Sequence, residues 1–467
     1  MKLNARNLTG LKIPVPTYDR GQIGIGIVHF GVGGFHRSHQ AMYIDRLLND
    51  GLAQDWGICG VGVLPRDRRM CDALRSQDHL YTLMLEHPDG TRQARVIGSI
   101  LDYRYAPQDP DSVIQLLADP ITRIISLTIT EGGYQPPLSA VFGLVAEACD
   151  RRRQRDLPSP TIVSCDNIAG NGDVARRVFT SHAERINPEL AEWMREKTAF
   201  PNSMVDRITP VTTPDVLERL DSEFGVADAW PVIAEPFAMW VVEDDFSDGR
   251  PPLDQAGVQL VDDVAPYEAM KLRLLNAGHQ GLCYFAYLAG YRLVHDAAQD
   301  PVIAEFLARY MNSEAMPTLK RIPGLDEFRA GLLPRFANPS IRDTVARLCA
   351  ESSDRIPKWL LPVVRDNLRS GGAVRLSAAI VASWARYAEG VDEQGQPIEV
   401  VDRLAETLVP IARSQREDPA AFLANRSVFG DLVDQERFRE AYLWALESLH
   451  RRGARATLRA LIGAGGP

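Results

Sequence analysis

The stretch Ile25–His39, IGIVHFGVGGFHRSH, decides how the first half of the chain folds. Ile25–Phe30 reads as a buried strand, glycines follow at 31, 33 and 34, and an apolar helical pattern resumes over Gln40–Leu48. Glycine after a strand and before a helix permits a tight turn. It also lets backbone N–H groups approach a pyrophosphate, which a helix N-terminus favours electrostatically. Gly31, Gly33, Gly34 and the adjoining Phe35 are therefore candidate cofactor-binding residues. The third glycine of a GxGxxG pattern is replaced by His36, and the loop taken alone fits an ordinary tight turn better than a cofactor site.

Context favours the cofactor. Further strands read at Trp56–Leu64, Arg95–Ile100, Ile121–Ile129 and Thr161–Ser164, with helical segments at Asp111–Leu117 and Val141–Arg153. Strands alternating with helices predict a mostly parallel sheet covered on both faces. After the second strand come Arg66 and Asp67. An acid there would bond the adenine ribose of NAD, whereas an arginine would meet the 2′-phosphate of NADP, so the pair points both ways. Glu131 stands at the end of another strand, where such a sheet carries its ligand, although loop hydrogen bonding would explain it as well.

Beyond about Pro266 helical patterns dominate: Tyr267–Leu288, Pro301–Met311, Ser340–Ala350, Pro362–Arg369, Ser377–Gly390, Val400–Arg413 and Asp434–Leu449. The expected fold is α/β, with a Rossmann-like doubly wound domain over 1–262 and a mostly α-helical domain over 263–467. The boundary falls near 260–266. The basic run Arg151–Arg155 reads as a solvated helix end, and the tail GAGGP as frayed.

Composition narrows the function. The chain has 467 residues, 45% hydrophobic and 24% charged, which excludes disordered and fibrous classes. A formal net charge of −9 argues against a nucleic-acid binder. No run of apolar residues is long enough to span a membrane, and the N-terminal stretch has no apolar signal core, so a soluble cytoplasmic protein is expected. The six cysteines (59, 71, 149, 165, 283, 349) form no ligand spacing or disulfide framework and read as buried thiols. No metal site is expected. Only six of the 52 cationic residues are lysines. Lysine can surrender its proton when desolvated, and arginine cannot.

Of those lysines, Lys271 lies in an apolar helical segment, YEAMKLRLLNAGH (267–279). At about 100° per residue, Glu268, Lys271, Asn276 and His279 fall within an arc of roughly 140–150°. A lysine in apolar surroundings suits a general base, an Asn amide can donate to an alkoxide, and a His can orient a hydroxyl. An amphipathic helix whose lysine snorkels to water would show the same spacing.

Seven ordered blocks carry a more specific signal. They are FGVGGFHRSHQA (30–41), SLTITEGGY (126–134), SCDNIAGNG (164–172), FPNSMVDRITP (200–210), AEPFAMWVVED (234–244), PYEAMKLRLLNAGHQ (266–280) and GYRLVHD (290–296). Through them the chain resembles the polyol-specific long-chain dehydrogenases, the mannitol 2-dehydrogenase and fructuronate reductase family. These are metal-independent enzymes that interconvert sugar alcohols and ketoses with NAD(P).

The resemblance implies that Lys271 is the general base, that Asn276 and Asn167 form an oxyanion hole, and that His279 positions substrate. Glu268 would relay the base's proton. Asp206, Arg347, Arg355 and Lys358 would contact the substrate. It implies D-mannitol and D-fructose as the leading pair, with arabinitol, sorbitol and uronate chemistry (fructuronate or tagaturonate reduction) as neighbours, and a monomeric protein. Where NAD-dependent members are expected to carry an acid at or beside position 66, this chain has Arg66. Asp67 keeps NAD first, with NADP open. Two further readings are an NAD-binding redox sensor without turnover and a 6-phosphogluconate-type dehydrogenase, which would require a phosphorylated substrate.

Overall fold

The computed structural model describes residues 1–136 and 138–463. The chain divides into two compact units, one of Met1–His87 with Thr91–Ala265 and one of Pro88–Gly90 with the chain from Pro266 onward.

The first unit holds strands β1 (Ile25–Phe30), β2 (Gly57–Gly62), β3 (Tyr81–Glu86), β4 (Arg92–Ile97), β5 (Ile100–Tyr105), β6 (Ile124–Leu127), β7 (Thr161–Ser164), β8 (Ser203–Asp206), β9 (Val232–Ala234), β10 (Met239–Glu243) and β11 (Gln259–Val261). Five form a parallel sheet in the order β5-β2-β1-β6-β7. The sequence builds outward from β1 in one direction, then returns and builds outward in the other, so the winding reverses between β1 and β6. This is the expected doubly wound, Rossmann-like architecture, and the crevice at the C-terminal edge beside β1 is where such a sheet binds its ligand.

Both faces of the sheet are buried. Ile27 and Ile58 face one apolar cluster with Tyr43 and Leu47, whereas Val28, Phe30, Cys59 and Val61 face another with Phe142 and Val145. Alternate residues thus enter opposite cores, which explains why these strands read as continuous apolar runs.

The segment expected as one strand over Arg95–Ile100 is two strands in different sheets, β4 and β5. Between them the Gly98 N–H donates to the buried Asp45 carboxylate at 2.9 Å, and Ser99 Oγ donates to the Ala41 carbonyl at 2.7 Å. A Cβ on Gly98 would lie 2.7 Å from Pro16 Cγ. These anchors turn the chain out of one sheet and into the other. Two three-stranded sheets, β4-β3-β9 and β11-β10-β8, are additional to the expected strands.

From Pro266 onward the described elements of the second unit are helices, as expected, joined by turns and by isolated β-bridges of Leu293 with Thr344 and of Val391 with Pro397. Its core includes Trp384 edge-on to Phe422 at 5.0 Å between ring centroids. The expected helix over Ser340–Ala350 is reduced to Val345–Cys349. The Val294 N–H donates to the Asp343 carbonyl and the Val345 N–H to the Arg292 carbonyl, which holds the preceding residues extended. The helix expected from Val400 begins at Ala405, because the Val401 carbonyl is taken by the Glu351 N–H and the Asp402 carboxylate by Ser353 and the Leu404 N–H. All six cysteines are free and buried. Of the tail GAGGP, all but Gly463 lies outside the described residues.

The basic run is not uniformly solvated. Arg152 is fully buried, and its guanidinium donates to the carbonyls of Leu117 (2.9 Å), Pro158 (2.8 Å), Asp119 and Thr122. A single cation here satisfies four carbonyls where the helix ends and β6 and β7 begin. Arg152→Met keeps the volume but removes every donor. It is expected to destabilise the fold by about 3 kcal/mol or more, seen as a lowered midpoint in thermal or urea unfolding.

Candidate active site

Several of the expected site residues of the first unit lie at the C-terminal edge of the parallel sheet. Gly31 follows β1 at φ +92°, and a Cβ there would sit 2.2 Å from the Thr128 carbonyl oxygen, so only glycine fits. Around Gly33 the protein leaves space, since the nearest heavy atom to a Cβ would be the Gly31 oxygen at 3.9 Å. Gly33 caps the short helix Gly34–Ser38, which includes Phe35. Backbone can therefore be approached closely at Gly33, as a pyrophosphate requires.

His36, in the third glycine's position, lies flat against His29 of β1 with ring centroids 3.4 Å apart. Burial lowers the pKa of His29 to about 3, and burial together with His29 lowers that of His36 far below its usual value. Two neutral rings can stack where two cations could not. His29 pairs with Ser126 Oγ at 2.8 Å and with Thr128 Oγ1 at 3.0 Å, and Thr128 Oγ1 donates to the Gly31 carbonyl at 2.7 Å. The glycine turn is thereby fixed to β6.

Sequence reading overlooked two buried arginines that brace this loop. Arg37 donates to the Trp230 carbonyl, and its own carbonyl accepts from Tyr81 Oη at 2.6 Å. Arg207, immediately after Asp206, donates to the Glu235 carbonyl at 2.8 Å through Nη2 and reaches the Ser38 carbonyl through Nη1. Ser38 and Thr209 hydroxyls meet at 2.8 Å. Both arginines stand inside the quoted blocks, FHRSH and VDRIT, and that position was the available signal.

After β2, Arg66 is exposed. One carboxylate oxygen of Asp67 accepts the N–H groups of Val63 and Leu64, each at 2.9 Å. Glu131 is exposed in the turn after β6, and Asn167 is exposed in the turn after β7. That second turn has its own anchor, also overlooked. The Asp166 carboxylate accepts from the Thr130 N–H at 2.6 Å and from Tyr134 Oη at 2.8 Å. Asn171 Nδ2 donates to the Asp166 carbonyl at 3.0 Å and the Ser203 carbonyl at 2.8 Å. Asp206 closes β8 and is buried.

In the second unit, Lys271–Asn276 is a π-turn between the α-helical stretches Ala265–Met270 and Ala277–Leu288. This corrects the uniform α-helix expected over Tyr267–Leu288, and it matters for the site. On α-geometry Lys271 and Asn276 would point about 140° apart. A π-turn closes its hydrogen bond across five residues and so absorbs one extra residue. Positions 271, 276 and 279 then align as i, i+4 and i+7 do on an ordinary helix, with Glu268 at i−3 on the same side.

Lys271 and Asn276 are both buried, and Asn276 Oδ1 has no hydrogen-bond partner among the described residues. His279 stacks on Phe336 with centroids 4.2 Å apart. One residue on, Gln280 Nε2 donates to the Leu348 carbonyl at 3.2 Å, which ties this helix to the segment bearing Arg347. Arg347 is exposed and paired with Asp343. Arg355 donates to the carbonyls of Arg347 (3.1 Å) and Leu348 (3.2 Å), so it supports that segment's backbone. Lys358 is bound to Asp354 at 2.7 Å on an exposed helix face. Among the described residues no group of three or more His, Cys, Asp or Glu side chains could hold a metal ion, and no helix is long and apolar enough to cross a membrane.

A doubly wound nucleotide-binding sheet, joined to a helical unit that carries a Lys-Asn-His stripe with its Lys and Asn buried, defines a dehydrogenase class. Two family models match in order: the mannitol dehydrogenase Rossmann domain over residues 25–255 and the mannitol dehydrogenase C-terminal domain over residues 263–450. The chain belongs to the mannitol dehydrogenase family. It is 44% identical to a mannitol 2-dehydrogenase of Phaeosphaeria nodorum, over 98% of this chain and 85% of that one. It is 42% identical to one of Aspergillus fumigatus, over 98% of each. Among solved structures it resembles the Pseudomonas fluorescens mannitol 2-dehydrogenase ternary complex with NAD and D-mannitol (TM-score 0.87, 39% identity, 100% of each chain). It also resembles a substrate-free D-sorbitol dehydrogenase (TM-score 0.92, 35% identity, 98% of this chain and 100% of that one).

Burial raises the pKa of Asp166 to about 6, above the ~3.9 of an unfolded aspartate. The folded state then holds the proton more tightly. Stability from this group is fully present below about pH 4 and lost as the pH rises through about 6. Asp166→Asn removes the titration. The melting temperature of the unaltered protein minus that of the variant should therefore be larger at pH 4.5 than at pH 7.5 (roughly three units apart) by a few degrees. A constant difference would show that the carboxyl does not titrate in this range.

Proposed function

We propose that this chain is an NAD-dependent polyol 2-dehydrogenase that interconverts D-mannitol and D-fructose without a metal ion, with Lys271 as the general base. The observation carrying this reading is the π-turn, which draws the Lys, Asn and His of the stripe onto one side of a helix in a chain 39–44% identical to proteins named mannitol 2-dehydrogenase.

The residues at the sheet edge fit NAD. Gly31 permits the turn, Gly33 leaves the backbone open, and Gly34 and Phe35 begin the helix facing the phosphates. Asp67 is assigned to the ribose through the carboxylate oxygen that its own loop does not use, and Glu131 to the same cofactor. NAD, when bound, supplies the acceptor for the hydride that leaves the carbinol carbon. Lys271 Nζ, uncharged, removes the hydroxyl proton, and Glu268 passes that proton to solvent. Asn276, with Asn167 as a second amide donor, steadies the negative charge developing on the oxygen. His279, held against Phe336, orients the reacting hydroxyl. Asp206 and Arg347 contact the remaining hydroxyls, and Arg355 supports Arg347 through its backbone. The ion pair of Lys358 with Asp354 lends no support to its expected substrate contact. The protein is taken to act as a cytoplasmic monomer, which light scattering on a sizing column tests for the oligomeric state.

D-sorbitol is the second reading, favoured by the TM-score of 0.92 with a D-sorbitol dehydrogenase. Mannitol and sorbitol differ in configuration at C2, and oxidation there turns both into fructose. The discriminating experiment is reduction of D-fructose with NADH and identification of the polyol formed. Mannitol is expected, at a rate unaffected by a chelator and faster than with NADPH. Sorbitol as product would transfer the assignment, faster turnover with NADPH would assign Arg66 to a 2′-phosphate, and loss of rate in chelator would overturn the metal-free mechanism.

Lys271→Ala is expected to lower kcat by at least about 10³-fold while NADH still binds, since it removes the base and no cofactor contact. Polyol oxidation by the unaltered enzyme should accelerate with rising pH as Lys271 loses its proton. Retained turnover in the variant would exclude Lys271 as base.

A further inference from the structure

The π-turn needs an explanation, because it forfeits a backbone hydrogen bond inside a helix. In an α-helix the Ala277 N–H would donate to the Arg273 carbonyl, four residues back. Here it donates instead to the carbonyls of Leu272 and Leu274 and passes over the one between them. A half-buried carbonyl passed over in this way calls for another donor.

A donor does reach it. Tyr310, the last residue of the helix Pro301–Tyr310, is fully buried and places its hydroxyl 3.0 Å from the Arg273 oxygen. Burial raises its pKa far above the usual tyrosine value, so the hydroxyl keeps the proton it donates. A second tether runs from the same turn to the end of the segment that follows Tyr310 and to the helix Leu361–Ser370. Arg273 Nη1 donates to the Thr318 carbonyl at 3.0 Å and to Asp366 at 2.6 Å.

The segment that supplies Tyr310 and Thr318 is itself fixed. It continues from Tyr310 into a second π-turn, Met311–Ala315, whose buried Glu314 carboxylate accepts the N–H groups of Leu376 at 2.6 Å and Ser377 at 2.8 Å. Asn367 Nδ2 holds the Glu314 carbonyl at 2.9 Å. Tyr310 therefore projects from a rigid support onto the one carbonyl whose loss defines the catalytic turn.

We infer that Tyr310 is a positioning residue for the dehydrogenase reaction: its hydroxyl replaces the missing helical hydrogen bond at the Arg273 carbonyl, stabilises the π-turn, and so keeps Asn276 and His279 in line with Lys271, with Arg273 as the second tether. This rests on the reading of Lys271 and Asn276 as base and oxyanion donor. Without the hydroxyl, the Arg273 carbonyl would recover a partner by returning to an α-helical turn. Asn276 and His279 would then swing away from Lys271, while nothing at the cofactor loop changes.

The test is steady-state kinetics of Tyr310→Phe, with NADH affinity by fluorescence titration and folding by thermal melting. The expected result is a fall in kcat of roughly 10- to 100-fold, the scale of a small misplacement of catalytic groups. KM for the polyol and Kd for NADH should move by less than about threefold, and the rise of rate with pH should keep its shape because Lys271 still titrates. A folded variant with kcat within about twofold of the unaltered enzyme overturns the inference, as does loss of NADH binding in parallel with kcat, which would mark Tyr310 as a general structural residue. If Tyr310→Phe does not fold, Arg273→Ala carries the test. Alanine removes the Nη1 that donates to both Thr318 and Asp366, and the same selective loss of kcat is expected, with unchanged kcat overturning the inference. Lys271→Ala separates the two levels. Turnover retained there overturns the assignment of the base, whereas its loss beside an unaffected Tyr310→Phe overturns only the role of Tyr310.

Discussion

The close approach of Gly31 to the Thr128 carbonyl is the constraint on which the first unit depends. A Cβ would stand 2.2 Å from that oxygen, so the chain can leave β1 along this path only as glycine. The same short distance lets Thr128 Oγ1 donate to the Gly31 carbonyl and lets His29 pair with Ser126 and Thr128. β1 and β6, the strands flanking the point where the winding reverses, are therefore joined by side chains as well as by their ladder. The His29–His36 stack extends that join into the helix after the glycine turn. In the usual fingerprint a third glycine lets helix and strand pack closely. Here an imidazole takes that place and the strand provides a second ring to receive it.

The scarcity of lysine acquires a physical meaning in this framework. Arg37, Arg152 and Arg207 are buried and act as cross-links, Arg37 to the Trp230 carbonyl and the other two each to carbonyls of separate segments. Burial lowers the pKa of all three, that of Arg207 to about 10, and they stay charged because arginine starts so high. A lysine in such a place would tend to discharge and lose a donor. Structural cations are thus arginines, and Lys271 is a buried residue of the type that, unlike arginine, can surrender its proton when desolvated.

Much of the fold was legible in sequence for a related reason. β1 and β7 were read at their observed bounds, because strands buried on both faces are continuously apolar and are followed directly by polar or glycine turns. The small sheets were missed because their strands are short or carry charge, as in β4 (RQARVI), and are fixed by remote partners such as Asp45. The glycine turn and the Lys-Asn-His stripe could be read because they are local in sequence. Asp166, Arg37 and Arg207 could not be assigned in the same way, since their partners lie tens or hundreds of residues away and only the fold brings them together.

The stripe itself shows where a periodicity argument must yield to hydrogen-bond bookkeeping. Spacings of five and three (271, 276, 279) do not fit one face of an α-helix, and on α-geometry Lys271 and Asn276 diverge by about 140°. Those spacings fit once a single residue is absorbed by a turn that closes over five. Absorbing it strands one carbonyl, and a stranded carbonyl inside a protein requires a donor from elsewhere. The fifth residue in KxxxxNxxH and a buried tyrosine hydroxyl on a different helix are thus two ends of one requirement. The stripe is a property of two helices, although its residues lie on only one.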